Sequence, residues 1–373
     1  MQQSIQKRGA VKGISTPFDS LVTKRLVLAG TIVVLMIGLL FSIGMALSIG
    51  QVSVPFADSL RLVTYQATGL SIGNIHELVP VTTADIVWNI RFPRVLLAML
   101  VGIGLALCGT VMQASVQNPL ADPYLLGISS GASLGATFSI MLGYGATGIM
   151  GELGVAFWAF SGALVASAMV LLLANLGGKM SSVKLVLAGT VINVLCNAFS
   201  NFIVYFAKNA EGIRSVAFWT MGSLASAKWD TLPLLAAMVG LAVLFFLFQA
   251  RVLNTMMMGD ETAITLGISL NAYRRFYILI ASVLTGVMVA TCGIIGFVGL
   301  IVPHLVRSVV GSDHKRLLPV VILASAIFLI WTDVLARTVI PNGEMPIGIV
   351  TAILGGPMFM YMLVKKNIGF GGK

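Results

Sequence analysis

Runs of about twenty apolar residues alternate with short polar breaks along nearly the whole chain. Ten such runs stand out, centred near residues 38, 104, 133, 165, 196, 241, 284, 302, 326 and 356. A helix crossing a bilayer needs about 20 apolar residues. The pattern therefore predicts an all-α polytopic membrane protein of about ten transmembrane helices, folded as one domain over residues 26–366. Residues 1–25 are polar and basic with no small-residue cleavage site, and read as an inner tail before an uncleaved first span. Residues 367–373 read as a second inner tail, 50–90 as an external segment and 254–272 as an inner loop.

The stretch from Arg91 to Gly135 organises the rest. Between Arg94 and Gln113 no residue is charged, and interspersed Gly and Ala let neighbouring helices come close. Asn118-Pro119-Leu120-Ala121-Asp122-Pro123 then stops the helix, because each proline lacks an N–H and pushes the preceding residue out of the α region. The helix is expected to resume near Tyr124, with Gly127, Gly131 and Gly135 four residues apart as a packing seam. Gly293, Gly296 and Gly299 read as a smooth helical face for close or sliding contact, with Pro303 bending that helix near its inner end. Asn193, Asn197 and Asn201 give the fifth span a polar face, either bonded to another helix or lining a hydrated path. Between Lys208 and Asp230 a short helix is expected to dip into the outer leaflet.

Composition agrees with the pattern: 58% hydrophobic, 10% charged and a mean hydropathy of +0.99, where a soluble domain carries roughly 25% charged residues. The net charge of +10 raises nucleic acid as a partner, but the charges sit in short loops, so topology is the better reading. With both termini inside, sixteen of the 23 Lys and Arg fall on the inner side. The outer exceptions include Arg91 and Arg94, which flank Pro93 at the expected start of the second span. They either grip lipid phosphates or dock acidic side chains of an external partner, since guanidinium groups pair with carboxylates in bidentate fashion. Asp333 and Arg337, one helical turn apart, could neutralise one another.

Chemistry-bearing motifs are few. Cys108, Cys196 and Cys292 are isolated within spans, which supports neither a disulfide nor a metal site. The turn Gly177-Gly178-Lys179-Met180 superficially suggests a phosphate loop, but Met180 stands where Ser or Thr should follow the lysine. No ATPase site and no catalytic residue are therefore expected. Gly259-Asp260-Glu261-Thr262-Ala263-Ile264-Thr265-Leu266-Gly267 reads as a short helix displayed to the cytoplasm. Asp260 and Glu261 suit its N-terminus, Gly267 suits its C-cap, and Ala263 and Leu266 are available for contact; the plainer reading is an amphipathic helix resting on lipid.

Taken in order, RFPR at 91–94, QNPLADPYLLGISSGA, GDETAITLG, GFVGLIVPHLVR with GSDHKRLLP, and EMPIGIVTAILGGPMF resemble the permease subunits of binding-protein-dependent ABC importers for ferric siderophores, haem and cobalamin. The resemblance runs from Arg91 to Val364. It implies a type II, cobalamin-importer-like bundle that works as a homodimer or with a paralogous permease. It also implies cytoplasmic ATPase subunits that hold ATP and Mg, an extracytoplasmic substrate-binding protein, and no cofactor on this chain. Arg91, Arg94 and Arg337 would dock the binding protein, and Gly259, Asp260, Glu261, Ala263, Leu266 and Gly267 would couple to the ATPase. Asn118, Leu120, Ser182 and Val183 would form the cytoplasmic gate, where the cobalamin type carries a hydroxyl residue at the place of Val183. Gln113, the two glycine series and Pro303 would serve packing and the pathway. Ferric siderophore is the first expectation for cargo, with haem or cobalamin as alternatives. An ion-coupled secondary transporter would need ionisable groups at mid-membrane, and only Asp333 and Arg337 come near, at an outer end.

Overall fold

The structure, a computed structural model, describes residues 17–70, 80–143, 153–176, 181–207, 209–259, 265 and 270–364. The greater part of the N-terminal tail, the turn at 177–180, most of the loop 260–269 and the C-terminal tail lie outside the described residues. Among the described residues the chain forms helices and short turns. They are α1 Pro17–Ser48, α2 Phe56–Thr68, α3 Val81–Val116, α4 Ile128–Met141, α5 Leu153–Asn175, α6 Ser182–Phe206 and α7 Ala210–Thr220. There follow α8 Leu232–Phe248, α9 Ala250–Met257, α10 Leu270–Cys292, α11 Val298–Val310, α12 His314–Thr338 and α13 Ile347–Val364.

All ten sequence centres fall inside helices. Among the described residues six helices, α1, α3, α5, α6, α10 and α12, are long and apolar enough to cross a membrane alone; α8 and α9, bent by 63° to one another, are long and apolar enough only as a pair. The remaining three centres lie in the shorter α4, α11 and α13. Burial ranks them: 78% of the most apolar window of α3 is buried within the protein, against 6% for α1 and 22% for α6. A helix apolar all round belongs in a core or in lipid, and α3 occupies the core while α1 and α6 show broad apolar faces. Helix α12 packs along α3, with α10 and α11 on other sides of α3 and α1 outside α12.

Glycine sets the closest approaches. A Cβ on Gly131 or Gly135 of α4 would run into the backbone of Gly162 or Trp158 on α5, so these two form a seam facing α5, while Gly127, expected to share it, precedes the helix and lies against Ile192 of α6 instead. Gly109 of α3 meets the backbone of Gly299 in the same way, bringing α11 onto α3.

Three expectations are corrected. The second span does not begin at Pro93: the helix starts at Val81 and runs through a π-helical stretch, Ile86–Arg91. That widened turn, directly ahead of Pro93, relieves the clash a proline ring makes with a regular i→i−4 ladder. The helix after the hinge does not resume at Tyr124. A 3-10 turn, Pro123–Leu126, comes first, and Gly127 at φ 72 then redirects the chain into α4. Gly293 and Gly296 lie on no helix face, because α10 ends at Cys292 and the segment 293–297 is non-helical. Gly293, at φ 71, sits against the carbonyl of Trp219, where a side chain has neither the room nor the backbone freedom.

Candidate functional site

Chemistry concentrates at the two ends of the α3–α12 pair and at the chain breaks between them. At the end that the charge balance places outside, Arg94 donates from Nε to Asp333 Oδ1 at 2.8 Å, and from one terminal nitrogen to both oxygens of Glu344 at 2.9 Å. Arg337, one turn after Asp333 on α12, lies 3.5 Å from Asp333 Oδ2 and also donates to the Ala46 carbonyl. Arg91 donates to the carbonyls of Leu47, Ser48 and Val52 where α1 ends. The three arginines predicted to share a role thus stand together at one end, each 5–6% exposed. Two of the guanidinium groups, those of Arg94 and Arg337, meet the carboxylates of Asp333 and Glu344, and Glu344, with 44% of its side chain exposed, carries the cluster to the surface.

At the opposite end of α3 the hinge begins. Gln117 takes a left-handed conformation, φ 54, as the C-cap of α3. The Asn118 carboxamide accepts from the Leu120 N–H at 2.9 Å, and Asp122 caps the 3-10 turn by accepting from the Tyr124 N–H at 2.9 Å. The Tyr124 hydroxyl donates to the Ile295 carbonyl at 2.9 Å, so the first chain break is bonded to the second. Asn118 and Leu120 are half-buried, Ser182 opens α6 behind its N-cap Ser181, and Val183 is exposed. The 3-10 turn packs on α6 where Gly189 admits the Leu125 carbonyl. That is seven residues, or about 10 Å of helix, from Ser182.

Between the ends, Asp122, Ser129, Ser133, Asn193, Asn197 and Gly296 help line a cavity of about 680 Å³. The asparagine stripe divides: Asn193 accepts from Ser130 at 2.6 Å, while Asn197 and Asn201 remain exposed. Pro303 within α11 has no N–H to offer the Gly299 carbonyl. Gln113 supplies a substitute, donating to Gly299 at 3.4 Å and Leu300 at 3.5 Å while accepting from Arg307 at 2.9 Å. Of the predicted coupling residues only Gly259 is described; Asp260, Glu261, Ala263, Leu266 and Gly267 lie outside the described residues.

Two groups of partners were missed by sequence reasoning. Glu344 carries a signal, as an acidic residue in the short connection directly before the last span. Asn254 carries none: its amide donates to Asp313 Oδ1 at 2.7 Å and its carbonyl oxygen accepts from the His314 N–H at 2.8 Å. Asp313 is the N-cap of α12, accepting from the Lys315 N–H. Burial raises its pKa, but the Asn254 and Lys315 hydrogen bonds and nearby Arg316 outweigh it, holding the carboxyl below its ordinary range.

The description of the FecCD transport family matches residues 34–365. The chain belongs to that family. The haemin transport permease HmuU of Yersinia pestis is 40% identical over 291 residues, covering 77% of this chain and 86% of the relative. The vitamin B12 import permease BtuC of Citrobacter koseri is 38% identical over 281 residues, covering 75% and 83%. A solved metal-chelate type ABC transporter in an inward-facing conformation superposes with a TM-score of 0.75 at 29% identity, over 90% of this chain and 98% of the other. This FecCD-family chain is therefore a multi-pass cell-membrane permease of the ABC importer class.

Proposed function

We propose that the chain is the translocating subunit of an ATP-driven importer that takes a metal chelate from an extracytoplasmic binding protein. A ferric siderophore is the first cargo to test. Haem and cobalamin have equal support, since the relatives carry those names. The observation that carries the reading is the family match over residues 34–365 joined to a fold broken at 117–127 and 293–297. Two unwound segments bonded through Tyr124 give a bundle places to flex, and the adjoining cavity presents hydroxyl and amide groups to a polar solute. Cytoplasmic ATPase subunits and a second permease complete the assembly, this chain supplying no nucleotide site.

In this reading Arg91, Arg94 and Arg337 receive acidic side chains of the binding protein. Arg94 is already paired with the exposed Glu344, so an incoming carboxylate reaches it by taking the place of this one. Asn118, Leu120, Ser182 and Val183 gate the inner mouth, and the 259–267 loop seats on the ATPase. The test is ATP hydrolysis by the complex in lipid, with the binding protein loaded in turn with a ferric siderophore, haem and cobalamin. Stimulation by one loaded form names the cargo; hydrolysis indifferent to all three removes the reading.

A further inference from the structure

Helix α9 leaves α8 at a bend of 63° and packs against α3 and α12, with Leu253 and Met256 fully buried. Tyr277 of α10 fixes the bend by donating to Gln249 Oε1 at 2.9 Å. Two further side-chain bonds then tie α9 to the helices it packs on. Gln117, at the start of the hinge, donates from Nε2 to the Met256 carbonyl at 2.8 Å. Asn254 joins Asp313 and the His314 N–H at the start of α12. Just past α9, Gly259 at φ 102 leads into the inner loop.

The geometry has a mechanical consequence. α9 is eight residues long, a rod of about 12 Å, and the Gln117 bond lies at the end nearest the loop. A displacement entering at Gly259 reaches the hinge at Gln117 directly, without passing through α8. It reaches α12 through Asn254. Because α3 and α12 are joined again at their far ends by Arg94 and Asp333, a shift of one helix relative to the other is felt by the arginine cluster.

We propose that Gln117 and Asn254 are positioning residues that carry a displacement entering α9 at Gly259, from the side of the inner loop, to the hinge and to the α3–α12 pair. The inference rests on the reading of that loop as the ATPase contact. It makes α9 a lever pinned at two points, and the hinge the bistable element that both ends bias.

The experiment uses the full complex with its ATPase subunits and loaded binding protein in lipid nanodiscs and proteoliposomes. Gln117→Ala and Asn254→Ala are compared with the unaltered protein for ATPase assembly, basal hydrolysis, binding-protein affinity, stimulated hydrolysis and cargo moved per ATP. Assembly, basal hydrolysis and affinity are expected to hold. Stimulation and cargo per ATP are expected to fall about 5-fold or more, the low end of an allosteric coupling. The exchange N254D with D313N restores a donor–acceptor pair across the same gap and should recover stimulation. A purely structural role would instead lower thermal stability and leave the cargo-to-ATP ratio unchanged, and that result overturns the proposal. Should Asn254→Ala fail to assemble, Asn254→Asp alone keeps the acceptor for the His314 N–H, loses the donor to Asp313, and decides on the same readouts. Leu266→Arg separates the two ideas. If it leaves assembly and stimulation intact, the loop reading fails. If it abolishes them while Gln117→Ala and Asn254→Ala are silent, only the lever fails.

Discussion

Asp333 is the group whose removal should cost the outer end most. It is 1% exposed and is the only carboxylate, among the described residues, within salt-bridge distance of both Arg94 and Arg337. Asp333→Asn keeps the shape and removes the charge. Arg94 retains Glu344, but Arg337 is left as a buried cation with the Ala46 carbonyl as its remaining partner on this side. Breaking a buried pair by removing one partner costs about 3–5 kcal/mol, because the orphaned charge stays out of water. Glu344→Gln likewise removes the charge from a carboxylate 2.9 Å from Arg94, but on a half-exposed side chain, and solvent screening holds its cost to about 0.2–1 kcal/mol. The assay is reversible unfolding of the purified protein in mixed micelles, read as the free-energy difference of each variant. Raising the salt should shrink the Glu344 effect and leave the Asp333 effect nearly unchanged. Replacing Arg94, Asp333 and Arg337 together by leucine should recover most of the loss. Equal costs for Asp333→Asn and Glu344→Gln, or a triple variant no better than the single one, would refute the argument.

Other perturbations separate the remaining elements. Gly109→Leu forces a side chain into the backbone of Gly299 and should lower thermal stability by more than the about 1 kcal/mol that helix propensity alone would restore, measured by melting in detergent. Tyr124→Phe removes the hydroxyl bond to Ile295 and should cost about 0.5–1.5 kcal/mol; hydrogen exchange at 293–297 should rise, and unchanged exchange would mean the two breaks are not coupled. Gln113→Leu leaves the Gly299 carbonyl without its substitute donor and should destabilise by about 1–3 kcal/mol, read in the same unfolding assay. Reversing Arg91, Arg94 and Arg337 to glutamate should weaken binding-protein affinity in a salt-dependent way, and unchanged affinity would remove the docking role from these residues.

The hydrophobic pattern made the ten helix centres legible, because a helix buried in lipid or in the bundle core needs an apolar run, although α4, α11 and α13 proved shorter than the long spans. Proline likewise announced the break after Gln117, since Pro119 and Pro123 cannot continue a helix. The second break stayed hidden: glycines three apart read equally well as a helical stripe, and what decides the matter is the carbonyl of Trp219, which lies far away in sequence and packs on Gly293. Asp333 with Arg337 was visible as an i, i+4 pair, whereas Arg94 with Asp333 spans 239 positions and nothing local encodes it. For the same reason the arginines read as surface groups, although their burial follows from partners supplied by α1, α12 and the loop before α13. Asn254 opens the stretch read as an inner loop, and nothing local marks its partner, because Asp313 lies 59 positions away. The cargo left the faintest trace, because the path proposed for a large solute needs only smooth, weakly binding groups.

The central claim is import driven by ATP and dependent on a binding protein. It is tested most directly in proteoliposomes carrying the whole complex with ATP trapped at its cytoplasmic side and loaded binding protein added opposite. The account predicts that labelled cargo accumulates only when ATP and the binding protein are both present, and is indifferent to collapse of proton and sodium gradients. Accumulation without ATP, driven by an ion gradient, would contradict it.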